Sequence, residues 1–104
     1  SPELAITLYR LIEEAFRNIR KHALADRVTV RLSGSASRLE LVIQDDGPGF
    51  DPVRQAAEAA QGKHLGMSIM KERAELLTGE MKVRTSAGRG TRLRFRFPWK
   101  GTEP

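Results

Sequence analysis

Apolar residues recur at helical spacing along the first part of the chain. Leu4, Leu8, Leu11, Ala15 and Ile19 share one side of a helix, because positions three and four apart fall on one face. The spacing predicts an amphipathic helix over 3–23, and Ser1-Pro2 suits its start. The period then drops to two. Over 27–33, Val28, Val30 and Leu32 alternate with Thr29 and Arg31; over 38–45, Leu39, Leu41 and Ile43 alternate with Glu40, Val42 and Gln44. The short run Ser33-Gly34-Ser35-Ala36-Ser37 between them reads as a turn, so the pair is an antiparallel hairpin. Residues 46–65 are mostly loop, with a weakly periodic short helix at 52–60. A functional lid is a common reason for a connection of this length. A second helix is expected over 66–78, ended by Gly79. Two more strands follow, 81–86 and 91–98, joined by Ser86-Ala87-Gly88-Arg89-Gly90.

Each strand has one apolar and one polar face. The last is the clearest, with Thr91, Leu93, Phe95 and Phe97 set against Arg92, Arg94 and Arg96. A sheet of such strands needs cover on one side only. The expected class is therefore α+β, a two-layer sandwich with helices on one face of a mixed, mainly antiparallel sheet. Arg92, Arg94 and Arg96 belong on the wet face, with Glu40 as a partner. Phe95 and Phe97 point to the core, so few aromatics remain to stack on bases, and a nucleic-acid surface is disfavoured.

Composition narrows the class without changing it. The chain has 104 residues, the size of one small domain. It contains no cysteine, which excludes disulfides and thiolate metal sites. No apolar run is long enough to span a membrane, and Ser1-Pro2-Glu3 does not open a signal peptide. Net charge is +5. The basic residues are dispersed and read as a solvated surface that also tolerates phosphate ligands.

Four polar or glycine-rich blocks carry the chemistry. On the first helix, Glu14, Asn18 and Lys21 form a stripe at the edge of the apolar face. Asn18 offers a carbonyl oxygen of the kind Mg²⁺ accepts, Glu14 can hold a water of the metal, and Lys21 can neutralise a phosphate. Asp45 ends a strand before Gly47-Pro48-Gly49. A carboxylate there can accept from an exocyclic amine such as that of adenine, and glycine lets the backbone approach a flat base. Gly66 opens a helix behind Lys63 and His64, and helix N-termini attract anions. Gly88-Arg89-Gly90-Thr91 closes the set. Taken singly, each block also reads as an ordinary helix surface, turn or cap. Together, and in this order, they suit a nucleoside triphosphate.

The same blocks resemble a known family over nearly the whole chain. Glu14-Ala15…Asn18…Lys21-His22-Ala23 is similar to the N box of the catalytic, ATP-binding domain of bacterial sensor histidine kinases. Asp45-Asp46-Gly47-Pro48-Gly49 fits its G1 pattern. His64-Leu65-Gly66-Met67-Ser68-Ile69-Met70-Lys71-Glu72-Arg73-Ala74 resembles the G2 region of the subfamily with nitrate/nitrite sensors, and Gly88-x-Gly90-Thr91 the last box. No separate aromatic-rich F box is present. The resemblance implies the Bergerat fold shared with gyrase, the Hsp90 chaperones and the mismatch-repair ATPases.

The resemblance also implies roles. Asn18 is the expected Mg²⁺ ligand, with Glu14 beside it as the second catalytic residue. ATP is expected to meet Asn18, Lys21, Asp45, Gly47, Gly49, Lys63, His64, Gly66, Met67, Gly90 and Thr91, and 51–65 to form the lid. The phosphoacceptor of a full kinase is a histidine followed by an acidic residue; here His22 precedes Ala23 and His64 precedes Leu65. The dimerisation and sensor segments are thus expected outside this sequence, which reads as a fragment. The implied partners are ATP or ADP, the protein's own phosphoacceptor domain and a cognate response regulator, with no nucleic acid or membrane contact by this domain. It is expected in the cytoplasm, with the full-length protein anchored in the inner membrane. The alternatives are an anti-sigma-factor-type serine kinase of the same fold and a nucleotide-binding interaction module without turnover.

Overall fold

A computed structural model of the chain describes residues 2–22, 27–47, 65–85 and 89–99. Helix α1 spans Pro2–His22, and strands β1 (Val28–Gly34) and β2 (Arg38–Asp45) follow. Helix α2 spans Leu65–Leu76. Strands β3 (Glu80–Thr85) and β4 (Thr91–Pro98) complete the set. The strands lie in the order β1-β2-β4-β3, and every pairing among them is antiparallel. The helix expected at 52–60 and nearly all of the expected lid, 51–64, lie outside the described residues.

The register aligns the alternation of all four strands. One face carries Val30, Ile43, Leu93 and Val83 in one row and Leu32, Leu41, Phe95 and Met81 in the next. Helix α1 lies against β2, α2 against β3 and β4, and the two helices touch. Leu11 and Ala15 of α1 and Met70 and Ala74 of α2 join Leu41, Ile43, Leu93, Phe95 and Phe97 in one buried cluster, with Leu4, Leu8 and Ile19 packed at its edge. Burying each large side chain contributes about 1.5–3 kcal/mol. Cover stops short of β1, where Val30 and Leu32 are 40% and 56% exposed although they face the helix side.

The wet face holds the expected pair. Arg96 Nε donates to Glu40 Oε2 at 2.8 Å, across the β2–β4 register. That hydrogen bond chiefly, and then the charges of Arg96, Arg94 and Arg92, hold the Glu40 carboxyl below its ordinary pKa, against the opposing effect of partial burial. A depressed folded-state pKa gives stability that is present above the unfolded value and lost as pH falls through the folded one. Glu40→Gln is therefore expected to cost about 1 kcal/mol at neutral pH. The deficit should shrink as the pH drops through the acid range. Thermal melts across that range check this; a deficit that does not vary with pH would assign the loss to packing.

One glycine plays a different part from the one expected. Helix α2 ends at Leu76, and the left-handed residue beyond it is Thr78, with φ 61°, not Gly79. The Gly79 N–H still returns to the Ala74 carbonyl at 2.8 Å, as in a Schellman-type end. Gly79 is required for another reason. A Cβ there would lie 2.5 Å from the Phe97 ring and 2.8 Å from the Arg96 carbonyl. The β1–β2 turn is closed by a residue outside the sequence argument, Trp99, whose Nε1–H donates to the Ser35 carbonyl at 2.8 Å.

Candidate functional site

The apolar face of the sheet ends in a polar row. Continuing the alternation by one step from Ile43, Leu93 and Val83 brings Asp45, Thr91 and Thr85 side by side on the helix-facing side. Asp45 is half-buried. Its Oδ1 accepts the Gly47 N–H at 2.9 Å, which draws the chain into a turn directly after β2. Its second oxygen has no hydrogen-bond partner among the described residues. The neighbouring Asp46 does different work. It accepts the Arg27 N–H through Oδ1 at 2.9 Å and ties the entry of β1 to the exit of β2.

The hydroxyls of the row are ordered. Thr85 Oγ1 donates to the Gly90 carbonyl at 3.1 Å and lies 3.1 Å from Thr91 Oγ1. A hydroxyl has one hydrogen. With Thr85 donating to Gly90, Thr91 is the donor within the pair. Thr85 was not among the sequence candidates; its alternation with Val83 and Met81 was the only signal, and it needs the β3–β4 register to be read. Gly90 has φ 81°, and an added Cβ would overlap the Asp45 carbonyl oxygen. The glycine lets β4 begin against the end of β2.

A second group forms between the helices. Glu14 and Asn18 are half-buried, one turn apart, on one stripe beside the core residue Ala15. Gly66, the second residue of α2, sits directly against both: a Cβ on it would lie 2.5 Å from Glu14 Oε1, 2.8 Å from Asn18 Oδ1 and 3.0 Å from Asn18 Nδ2. The start of α2, with its unsatisfied N–H groups, thus meets the polar stripe of α1. Arg17 pairs with the other Glu14 oxygen, Oε2, which leaves Oε1 turned toward Gly66. Met67 is partly buried and packs against the core cluster.

The sequence candidates therefore fall into two groups: Glu14, Asn18 and Gly66 between the helices, and Asp45, Gly47, Gly90 and Thr91 at one end of the sheet. Gly49, Lys63 and His64, and the side chain of Lys21, lie outside the described residues. No group of three or more His, Cys, Asp or Glu side chains able to hold a metal occurs among the described residues. None of the described helices is long and apolar enough to cross a membrane.

The chain is 38% identical over 93 residues to DegS of Brevibacillus brevis, a signal transduction histidine-protein kinase/phosphatase, covering 89% of this chain and 23% of that protein. It is 40% identical over 93 residues to the sensor histidine kinase YhcY of Bacillus subtilis, covering 89% of this chain and 24% of the relative. It thus spans about a quarter of the length of these relatives. Among solved structures, it is similar to the histidine kinase domain of a blue-light activated kinase from Erythrobacter litoralis. That match has a TM-score of 0.73 at 27% identity and covers 92% of this chain and 45% of the other. The ATP-binding domain of PrrB from Mycobacterium tuberculosis matches with a TM-score of 0.69 at 26% identity, over 89% of this chain and 67% of the other. Residues 3–101 match the family of histidine kinase-, DNA gyrase B-, and HSP90-like ATPases, and the chain belongs to that family.

Proposed function

We propose that this chain is the ATP-binding catalytic segment of a histidine kinase, binding ATP with Mg²⁺ and offering the γ-phosphoryl group to a histidine on a dimerisation segment. The observation that carries the reading is the packing of Gly66 against Glu14 and Asn18. It joins an anion-attracting helix start to two hard oxygen donors in one cleft. Those donors fit Mg²⁺. A metal held by so few protein oxygens completes its shell with water and phosphate oxygens, which is the habit of Mg²⁺ rather than of a caged ion.

Bound there, Mg²⁺ supplies positive charge against the phosphate oxygens. The rest falls to the chain. Asn18 presents its carbonyl as ligand, and Glu14 accepts from water beside it. The N–H groups at Gly66, with Lys21, Lys63 and His64, donate to the phosphates. At the other end, the second Asp45 oxygen accepts from the adenine amine, Gly47 and Gly49 admit the base, and Gly90 and Thr91 shape its edge. Met67 supports the start of α2 from the core side. In the transfer, the bond from the γ-phosphorus to the bridging oxygen breaks, a bond to the partner histidine nitrogen forms, and ADP keeps the electron pair. This chain forms no covalent intermediate; it positions and neutralises. The phosphoacceptor segment and a response regulator are the macromolecular partners of this reading, in a full-length protein anchored at the inner membrane with this segment in the cytoplasm.

Calorimetry with ATP tests it. Saturable binding is expected, tighter with Mg²⁺, with Asn18→Ala removing the metal-dependent part. An absence of heat and of thermal stabilisation at millimolar nucleotide, with or without metal, would refute the reading. Transfer to a serine-bearing rather than a histidine-bearing partner would assign the kinase to the other class on this fold.

A further inference from the structure

The face of the sheet turned away from both site groups carries an arrangement that folding alone does not favour. Arg84 lies directly opposite Arg92, and Lys82 directly opposite Arg94, in the β3–β4 register. Like charges placed directly opposite across antiparallel strands destabilise the pair. Here two such pairs are adjacent, because residues two apart on a strand share a face. The result is a square of cations at the sheet edge.

The square surrounds a shallow depression of about 200 Å³ lined by Lys82, Val83, Arg84, Arg92 and Arg94, with no carboxylate. The carboxylates of this face sit one row away. Glu40 and Glu80 flank Arg96 in register, and Glu40 is bonded to Arg96 at 2.8 Å. The next row continues past Arg94 to Val42 and Arg31, and the one beyond it past Arg92 to Gln44 and Thr29; neither holds an acidic residue. Within the square, the Nε of Arg92 is enclosed without a hydrogen-bond partner among the described residues. A buried donor left without an acceptor costs free energy.

We propose that this square is a binding site for a multivalent phosphate group, distinct from the nucleotide cleft on the opposite face. Arginine forks suit phosphate oxygens. A bound phosphate places negative charge between both like-charged pairs and gives the enclosed Arg92 donor an acceptor. No aromatic side chain stands on this face of the described strands, so the recognition is of phosphate and not of a stacked base. Two sources share this chemistry, a soluble polyphosphate and the phosphate monoester headgroup of an anionic lipid.

The test uses tripolyphosphate in calorimetry and thermal melts at low ionic strength, with the nucleotide cleft saturated by ADP. Saturable binding that persists under ADP is expected. Arg84→Glu, which sets a carboxylate opposite Arg92, is expected to weaken it at least tenfold, a loss of about 1.4 kcal/mol or more. The same substitution is expected to raise the melting temperature without anion, because a repulsive pair becomes attractive. Lys82→Gln with Arg84→Gln should show the same loss of binding without a new charge pair. Arg31→Gln, on the far strand of the same face, should leave binding within twofold. Co-sedimentation with phosphatidylcholine vesicles containing phosphatidic acid separates the sources. Capture that Arg84→Glu abolishes assigns the lipid headgroup; tripolyphosphate binding without capture assigns a soluble phosphate. The proposal is overturned if ADP displaces the tripolyphosphate, if both square variants bind like the parent chain, or if Arg31→Gln loses as much as they do.

Discussion

Gly66→Ala is expected to lower nucleotide affinity by tenfold or more while leaving the fold intact. The reason is geometric. The new methyl group would stand 2.5 Å from Glu14 Oε1 and 2.8 Å from Asn18 Oδ1, well inside contact distance. Something must move, and the movable parts are the two side chains proposed to face the metal and phosphates, or the first turn of α2 itself. Either displacement separates the oxygen donors from the N–H groups that meet the same anion. Tenfold corresponds to about 1.4 kcal/mol, less than one well-formed charge-assisted hydrogen bond at its upper range. Stability should change little, because Gly66 sits at a helix start and alanine is a better helix former than glycine. Calorimetry on the variant, set beside a thermal melt, separates the two effects. A variant that binds Mg·ATP as tightly as the parent would show that the Gly66 contact is packing alone. Combining Gly66→Ala with Asn18→Ala relieves part of the clash, yet binding should stay weak, since the room is made by deleting a donor.

Gly66 also marks how far the sequence could be read. Its place at the start of a helix was legible from spacing, and so was the Glu14–Asn18 stripe. That the glycine is needed because those two side chains crowd it is a tertiary fact, set by the approach of α1 to α2. The alternation on β4 located Leu93, Phe95 and Phe97 in the core and put Glu40 on one face with Arg92, Arg94 and Arg96; the β2–β4 register selects Arg96 as its partner. Thr85 was missed, because a threonine in a strand carries no signal until the β3–β4 register sets it beside Thr91. The cation square was missed for the same reason: Lys82 and Arg84 look like a solvated strand face until paired with Arg94 and Arg92. At the end of α2, the sequence marks Gly79 as the stop; the left-handed residue is Thr78, and the space beside Phe97 is what holds the next position to glycine. Local pattern thus yielded elements and their faces; residues whose meaning lies in a cross-strand or interhelical neighbour stayed hidden.

Asp45→Asn is expected to change which purine the chain prefers. The parent carboxylate uses one oxygen to accept the Gly47 N–H at 2.9 Å. The amide oxygen of asparagine can keep that bond, so the turn after β2 should persist. The other oxygen becomes an NH₂ group, a donor where the proposed adenine amine also donates. The loss of a hydrogen bond to a charged acceptor costs about 1.5–3 kcal/mol, or roughly ten- to a hundredfold in affinity. A 6-oxo purine reverses the logic. Its carbonyl accepts from the asparagine amide but is repelled by the parent carboxylate. ITP should therefore bind the variant more tightly than it binds the parent chain, while ATP binds the variant more weakly. Asn18→Ala provides the contrast, since it should weaken ATP and ITP alike and only in the presence of Mg²⁺. Competition calorimetry with both nucleotides reads the ratio directly. If Asp45→Asn weakens ATP and ITP by the same factor, the Asp45 oxygen does not meet the base, and the polar row of Asp45, Thr91 and Thr85 serves the sheet end rather than the ligand.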